Sequence, residues 1–225
     1  MTSTTDWSAR PLRRDAARNH ALLLDAGRAV FAARGLEATL DDVARHAGVG
    51  VGTAYRHFAN KQELAAAIFS DDFDRLVESA KAALLIDDPW DAIVTFVEDT
   101  VAKHAMDRGL YEAMTATGGT AAKAAHLDGK AESMREALSP PVSELLDRGK
   151  RAGVVRGDAS YTDVAAMLLM LGPTYAMSDA VGRALWRRYL HLLLDGLRAV
   201  DAPDLPVAPL DADELDVALR AAKKH

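Results

Sequence analysis

The sequence of this chain predicts an all-α protein. Apolar residues recur at intervals of three and four along most of it, as at Leu40, Val43 and Ala47, and this period places them on one face of an α-helix. No stretch alternates apolar and polar residues as a half-buried strand would. Residue pairs typical of caps and turns, such as Asp88-Pro89 and Gly118-Gly119, separate the helical stretches. We therefore expect helices packed on helices.

Composition limits the class of protein. A chain of 225 residues is long enough for one large domain or for one small and one medium domain, and its 49% hydrophobic residues permit a sizeable core. The absence of Cys excludes disulfides, thiolate metal sites and thiol nucleophiles, and it favours a reducing compartment. No run of about 18 apolar residues and no signal-peptide core is present. We expect a soluble, cytoplasmic protein that binds no membrane.

Charge is divided unevenly along the chain. Through Lys61 there are nine Lys and Arg residues against six Asp and Glu, whereas the remainder holds 18 against 27. A mildly basic N-terminal part can approach phosphates while the acidic remainder is held away from them. A difference of this size also arises by chance in soluble proteins, so it supports a nucleic-acid hypothesis without establishing it.

The stretch from Leu40 to Phe58 has the pattern of a helix, a tight turn and a second helix. Gly48 follows the first apolar stripe at the place where a helix ends in a left-handed residue. A helix from Val51 would then present hydroxyl, phenol, guanidinium and imidazole groups, which suit phosphates and base edges. The alternative is an ordinary helical hairpin that binds nothing.

The residues in and after this stretch resemble those of a known family. Ala47-Gly48-Val49, Gly52, Thr53, Tyr55, His57, Phe58, Lys61 and Leu64 match, in type and spacing, the DNA-binding domain of the TetR family of bacterial regulators. The resemblance covers about Asn19 to Phe69 and implies a three-helix head on a larger helical regulatory domain, with about nine helices in all. Gly50 and Ala54 depart from the pattern, and we expect a weaker N-cap and a thinner contact between the second helix and the core.

The docking geometry of a helix-turn-helix then predicts the DNA contacts. The first turn of the second helix would enter the major groove, and the start of the next helix would meet the backbone. We expect Tyr55 and Lys61 to bind phosphates, whereas Thr39 is chiefly an N-cap. The predicted DNA-binding residues are Thr39, Val51, Gly52, Thr53, Tyr55, Arg56, His57 and Lys61.

We predict four parts. They are a flexible basic arm at 1–18, a helix-turn-helix domain at 19–64, a helical ligand-binding and dimerisation domain at 65–200, and a tail with a short helix at 201–225. The predicted helices outside the helix-turn-helix run from 19 to 34, from 61 through several turns, from 89 to about 109, briefly at 110–115, from 120 to 152 with a kink or new start at Pro140-Pro141, from Ser160 to an end at Gly172-Pro173, from about 179 to 200, and from 211 to 224.

The larger domain offers side chains suited to a small-molecule pocket. Large, soft and aromatic groups with a few polar tips line such pockets, and they also fill cores. The predicted ligand-binding residues are Trp90, Phe96, His104, Tyr111, Met114, Met134, Met167, Met170 and Tyr175.

The last long helix is apolar on more than one side, which favours packing on its own domain and on a second subunit. We expect a two-fold homodimer formed by this helix and the one around 160–171. The predicted interface residues are Val164, Met167, Leu171, Leu185, Trp186, Tyr189, Leu193 and Leu197.

Two function classes stay open. In the first, the chain is a transcriptional regulator, a repressor released from a palindromic operator of double-stranded DNA by a small lipophilic or aromatic effector. In the second, it is a DNA-binding interaction or architectural protein with a filled body and no effector. No catalytic motif, phosphate loop or helical pair of histidines is present, so we expect no enzyme activity, no metal and no cofactor.

Overall fold

The computed structural model describes residues 9–106, 127–198 and 203–222, and within them the chain is all-α, as predicted. These ranges hold nine α-helices, and the one β pairing among them is a single bridge between Val155 and Arg198. The helices are α1 (Ala9–Arg34), α2 (Leu40–Ala47), α3 (Val51–His57), α4 (Lys61–Ala83), α5 (Pro89–Met106), α6 (Leu127–Arg151), α7 (Tyr161–Val181), α8 (Leu185–Leu197) and α9 (Ala212–Ala222), and a 3-10 turn (Gly35–Glu37) follows α1. The helical piece predicted at 110–115 and the break at Gly118-Gly119 lie outside the described residues.

The chain divides into two compact units, and the boundary falls within α4, after Asp71. The described part of the first unit, 9–71, is built from α1, α2, α3 and the start of α4. Its core includes Leu23, Phe31, Val43 and Ile68, all nearly or wholly inaccessible to solvent. The apolar stripes of these short helices are therefore buried against one another, as their spacing requires.

The first helix begins at Ala9, not at Asn19, so residues 9–18 are helical and the prediction of an arm is wrong for them. The stretch lacks an apolar period, but it is rich in Ala and Arg, which are strong helix formers. Pro11 is tolerated because the first turn of a helix leaves its backbone N–H groups unbonded. Residues 1–8 lie outside the described part.

Local capping signals after the first unit are confirmed. α5 begins at Pro89, and the Asp88 carboxylate accepts hydrogen bonds from the backbone N–H of Trp90 and Asp91 at 2.8 and 2.9 Å. At the start of α7, Ser160 and Asp163 form a reciprocal capping box.

The new start predicted as one alternative at Pro140-Pro141 and the helix end predicted at Gly172-Pro173 are wrong. α6 continues through Pro140 and Pro141, and α7 continues through Pro173. Each proline removes one backbone donor, a local cost. The side chains that flank them, including Val142 and Leu171, are buried in the core of the second unit, and this burial favours continuing the helix.

The break falls instead at Gly182, which ends α7 in the left-handed region with φ 67°. A new helix, α8, starts at Leu185, so the predicted single helix from Asp179 to Val200 is wrong. The Ser178 hydroxyl accepts a hydrogen bond from the backbone N–H of Trp186 at 3.2 Å and so satisfies one donor at the start of α8.

The second unit has a core of its own, to which α5, α6, α7 and α8 contribute. The tail packs on this unit: Leu215 of α9 is buried, the Thr162 hydroxyl donates to the Leu210 carbonyl at 2.7 Å, and Arg135 donates to the Ala212 carbonyl at 3.2 Å. The short helix predicted in the tail is thus present, and it lies on α6 and α7.

One described helix, α7, is long and apolar enough to cross a membrane by length and composition, a test that core helices also pass. Its Val164, Met167 and Leu171 side chains belong to the core of the second unit.

Candidate nucleic-acid interface

α2, its turn and α3 form the predicted helix-turn-helix. The Thr39 hydroxyl accepts from the Asp42 backbone N–H at 3.2 Å, and the Asp42 carboxylate accepts from the Thr39 backbone N–H at 3.1 Å, which completes a capping box. Gly48 ends α2 with φ 68°, a conformation that costs other residues more than glycine. The turn into α3 is therefore set by local sequence signals.

α3 packs on the core through one small side chain. Ala54 is its one buried residue, whereas Val51, Gly52, Tyr55 and Arg56 are exposed. Gly50 precedes the helix without a side-chain cap, as expected from its departure from the family pattern. The chain thus leaves most of α3 accessible.

Three of the predicted DNA-binding residues, Gly52, Thr53 and Arg56, contact each other. The Arg56 guanidinium donates to the Thr53 hydroxyl at 3.0 Å and to the Gly52 carbonyl at 3.3 Å. It therefore lies back along its own helix, with further N–H donors of the guanidinium not used by these two bonds.

His57 at the end of α3 packs against α1. Its ring centroid lies 5.8 Å from that of His20 and 6.3 Å from that of Phe58. Partial burial lowers the pKa of His57, and the neighbouring His20 and Arg56 lower it further. The imidazole is therefore held toward its neutral form and does not act as a fixed cation.

The two residues predicted to bind phosphates occupy different settings. Lys61 is half-buried at the first position of α4, where Asn60 and Glu63 cap the helix. Tyr55 is half-exposed, and its interaction with the Asp41 carboxylate raises the pKa of the phenol.

Two carboxylates of α2 were missed as candidate site residues. Asp42 pairs with Arg34 at 3.2 Å and with Arg45 at 3.1 Å, and hydrogen bonds from Thr39 lower its pKa. The Thr-x-x-Asp spacing signals this cap in the sequence. The effect of Asp41 on the pKa of Tyr55 has no such signal, because it acts between two helices across a turn.

The predicted ligand residues of the second unit fall into three groups. Phe96 and Met167 are buried in its core, and Trp90 and Tyr175 are half-buried against the same core. Met170 is 57% exposed. Tyr111 and Met114 lie outside the described residues, as do the side chains of His104 and Met134. The open groove of about 300 Å³ beside α2 belongs to the first unit and contacts none of these residues.

The predicted interface residues differ in burial. Val164, Met167, Leu171 and Leu197 are buried in the core of their own unit, so their side chains are not available to a second subunit. Leu185, Trp186 and Leu193 are partly buried, and Tyr189 is exposed. Among the described residues, the large apolar side chains that α7 and α8 leave exposed are Met170, Met177, Val181, Tyr189 and Leu192.

Two family models match the chain. Residues 23–68 match the model for bacterial regulatory proteins of the tetR family, and residues 88–199 match the model for the C-terminal domain of SbtR-like transcriptional regulators. The two matches fall on the helix-turn-helix unit and on the second unit, respectively.

Individual relatives agree with these matches. The uncharacterized HTH-type transcriptional regulator TtgW of Pseudomonas putida is 35% identical over 94 residues, which are 41% of this chain and 70% of that protein. The crystal structure of a TetR regulatory protein from Mycobacterium vanbaalenii is 36% identical, with a TM-score of 0.62 over 84% of this chain and 99% of that one.

A third similarity concerns the fold alone. FadR of Bacillus subtilis, crystallised in complex with stearoyl-CoA, is 19% identical, with a TM-score of 0.59 over 79% of this chain and 98% of that one. Together with the helix-turn-helix geometry, the family matches and the identity to TtgW and the Mycobacterium protein show that this chain belongs to the TetR family of bacterial transcriptional regulators, which bind DNA.

Proposed function

We propose that the chain is a homodimeric repressor that a small lipophilic or aromatic effector releases from a palindromic operator. The observation that carries this proposal is the joining of a helix-turn-helix unit to a second unit with its own core, matched by the C-terminal domain of a regulator.

We assign the DNA contacts to α3 and the start of α4. Val51, Gly52, Thr53 and Arg56 would lie nearest the base edges, and α3 is called the recognition helix from here on. Tyr55 and Lys61 would donate to phosphates, and the exposure of Tyr55 and the position of Lys61 at a helix start support this assignment.

We assign the dimer interface to the exposed apolar side chains of α7 and α8. Met170, Met177 and Val181 recur at intervals of seven and four along α7, so they share one face. Tyr189 and Leu192 lie three residues apart on α8. Helices that are buried on one face and apolar on another favour burial against a second copy of the chain.

Half-buried aromatic side chains of the second unit indicate the class of the effector. Trp90 and Tyr175 are half-buried, and the Tyr175 hydroxyl donates to the Val101 carbonyl at 3.4 Å. Large apolar groups with a few polar tips suit a lipophilic or aromatic ligand. The stearoyl-CoA complex of FadR shows that a protein of this fold accommodates an acyl chain, which supports the class without naming the ligand.

The effector would act by its differential affinity for two arrangements of the dimer, one of which fits the operator. Coupling of this kind is typically about 1–3 kcal/mol, and it is reciprocal. Operator DNA must therefore weaken effector binding by the same factor as the effector weakens DNA binding.

The test begins with native mass spectrometry of protein purified without denaturation, to identify small molecules that remain bound. The identified compound is then titrated into the protein with and without operator DNA. We expect operator DNA to weaken effector binding by the same factor as the effector weakens operator binding. Equal effector affinity with and without operator would refute effector control and would support the alternative of a DNA-binding protein with a filled body.

A further inference from the structure

Three rings meet at the C-terminal end of the recognition helix. His57, the last residue of α3, lies 5.8 Å from His20 of α1 between ring centroids, and the His20 ring lies 5.0 Å from the ring of Phe58. Phe58 is buried in the core of the first unit, whereas both imidazoles are partly exposed. The two imidazoles, called the histidine pair from here on, therefore pack beside an apolar ring and remain accessible to solvent.

The ring nitrogens of the histidine pair are available to an outside partner. Over residues 9–106, 127–198 and 203–222, no hydrogen bond or ion pair engages a ring nitrogen of His20 or His57. A neutral imidazole has one donor and one acceptor nitrogen, whereas an imidazolium has two donors and a positive charge. The protonated form therefore suits an anionic acceptor such as a phosphate.

The charged groups close to the histidine pair do not favour its cationic form. Partial burial lowers the pKa of His57, and His20 and Arg56 lower it further. The residues one helical turn away from His20 on α1, at positions 16, 17, 23 and 24, are Ala or Leu. The next cation along the chain is Lys61, at the first position of α4.

The carboxylates at the starts of the neighbouring helices act on other groups. Glu63 of α4 accepts a hydrogen bond from the Ala59 backbone N–H at 2.7 Å, and Asp42 of α2 accepts one from the Thr39 backbone N–H at 3.1 Å. Asp41 of α2 acts on the phenol of α3. The groups that act on His57 include none of these three carboxylates. An anion that favours the imidazolium must therefore come from outside the protein.

DNA supplies such an anion. The start of α4, four residues beyond His57, is assigned to a phosphate contact under the proposed function, so the DNA backbone would pass this end of α3. A phosphodiester stays ionised at every pH at which the protein is folded, and a nearby opposite charge favours the charged form of a histidine. We infer that the histidine pair is a phosphate-binding site that takes up a proton when DNA binds. This inference rests on the DNA contacts assigned to α3 and α4 above.

Linkage gives the direction of the pH dependence. His57 is held toward its neutral form in the free protein, whereas the phosphate favours the imidazolium, so the complex binds more protons than its separate components do. DNA affinity must therefore rise as pH falls from the pKa of the complex to the lower pKa of the free protein, and uptake by the pair adds no pH dependence above both values. Uptake of one proton raises the affinity by at most about tenfold per pH unit.

The test uses fluorescence anisotropy with one labelled duplex of about 30 base pairs and arbitrary sequence, from about pH 8.5 to about pH 5.5 at low and constant ionic strength. Phosphate contacts are independent of sequence, so no operator is needed. The variants of the full chain are His57→Gln, His20→Gln and the double variant, because Gln keeps a polar side chain that cannot become charged. His46→Gln is the matched control, since His46 is an exposed histidine of the same unit on α2.

The wild type should bind the duplex roughly five- to tenfold more tightly at about pH 6 than at about pH 8. His46→Gln should keep this rise, the double variant should gain about twofold or less, and each single variant should fall between them. At about pH 8 all the proteins should bind equally within about twofold, whereas a purely structural role of the pair would weaken its variants at every pH.

Two results separate the failure of this inference from that of the proposed DNA contacts. If the wild type binds no duplex at any pH, the contacts assigned to α3 and α4 and the role of the histidine pair are both wrong. If the wild type binds the duplex and the double variant keeps the same pH dependence, the DNA contacts stand and proton uptake by the pair is refuted.

Histidine labelled with ¹³C at Cε1 supplies a readout by NMR in the wild-type chain. The pKa of His57 should lie below its ordinary value in the free protein and should rise when the duplex is added. If neither His20 nor His57 changed its pKa on addition of the duplex, the inference would be overturned even if the double variant failed to fold.

Discussion

At the scale of single residues, the surface around the recognition helix is assembled from groups that already have partners. Arg56 donates to Thr53 and Gly52, the Asp41 carboxylate raises the pKa of Tyr55, and the two rings of His20 and His57 pack together. Binding to DNA therefore exchanges one set of hydrogen bonds for another. Affinity depends on the difference between the two sets, as for any hydrogen bond formed in water.

Lys61→Ala should weaken binding to all DNA sequences and lower the slope of log affinity against log salt by about one unit, because a lost phosphate contact releases one counterion fewer. Arg56→Ala should instead change the preference among sequences. Anisotropy titrations at several salt concentrations with two unrelated duplexes measure both effects, and Lys61→Arg is the charge-preserving control. A change of preference in Lys61→Ala with an unaltered slope would contradict the assignment.

At the scale of elements, the sequence predicts what is decided locally. The Thr39 cap, the left-handed Gly48 and the Asp88-Pro89 start are all set by residues within one turn of each other. The course of α6 through Pro140 and Pro141 is not decided locally. It depends on how much apolar surface the flanking side chains bury in a core formed by distant helices. The effect of Asp41 on the pKa of Tyr55 is non-local in the same sense.

Gly149 of α6 offers a test of close packing between elements. A Cβ atom there would overlap the Val155 side chain, whereas one at Gly196 of α8 would meet nothing within 4 Å. Gly149→Ala should therefore lower the free energy of unfolding by about 1–3 kcal/mol. Gly196→Ala should leave it unchanged or raise it by up to about 1 kcal/mol, since Ala favours the helix. Urea denaturation of both variants checks the opposite signs, and a similar change in both would show that Gly149 is not constrained by packing.

An ion pair between α6 and α7 contacts the tail and responds to pH. Arg156 pairs with Asp158 through two hydrogen bonds, and Asp158 also accepts from the Leu205 backbone N–H at 2.8 Å. These donors lower the pKa of Asp158 from 3.8 to about 2. A carboxyl group whose pKa is lower in the folded chain contributes stability above its unfolded pKa and loses it as pH falls.

The stability difference between the wild type and Asp158→Asn should therefore be constant above pH about 5 and should shrink as pH falls from about 4 to about 2. Urea denaturation of the two proteins across this range measures it. A stability difference that stays constant down to pH 2 would show that folding does not lower the pKa of Asp158.

At the scale of the whole molecule, the all-α class, the helix-turn-helix and the existence of a second domain follow from periodicity and from the family resemblance. The placement of individual side chains in that domain does not. Met167 and Leu171 carry the right chemistry for an interface, but they are buried in their own unit, whereas Met170 one position away is exposed. A period of 3.6 residues identifies an apolar face, but it does not say whether the same chain or a second subunit covers it.

The most direct measurement of the central claim is the selection of bound duplexes from a random-sequence pool by the full wild-type chain. A two-fold dimer with two recognition helices should enrich palindromes whose half-site centres lie about 34–36 Å apart or slightly more. Leu192 is 55% exposed, so Leu192→Asp should yield a folded monomer that enriches half-sites at most. The control is Val207→Asp, at a side chain of the tail that is 77% exposed, and it should select the same duplexes as the wild type does. Enrichment of palindromes by the wild type and their loss in Leu192→Asp is the predicted result. A wild-type chain that enriches no sequence, or a monomeric Leu192→Asp that selects the same palindromes, would contradict it.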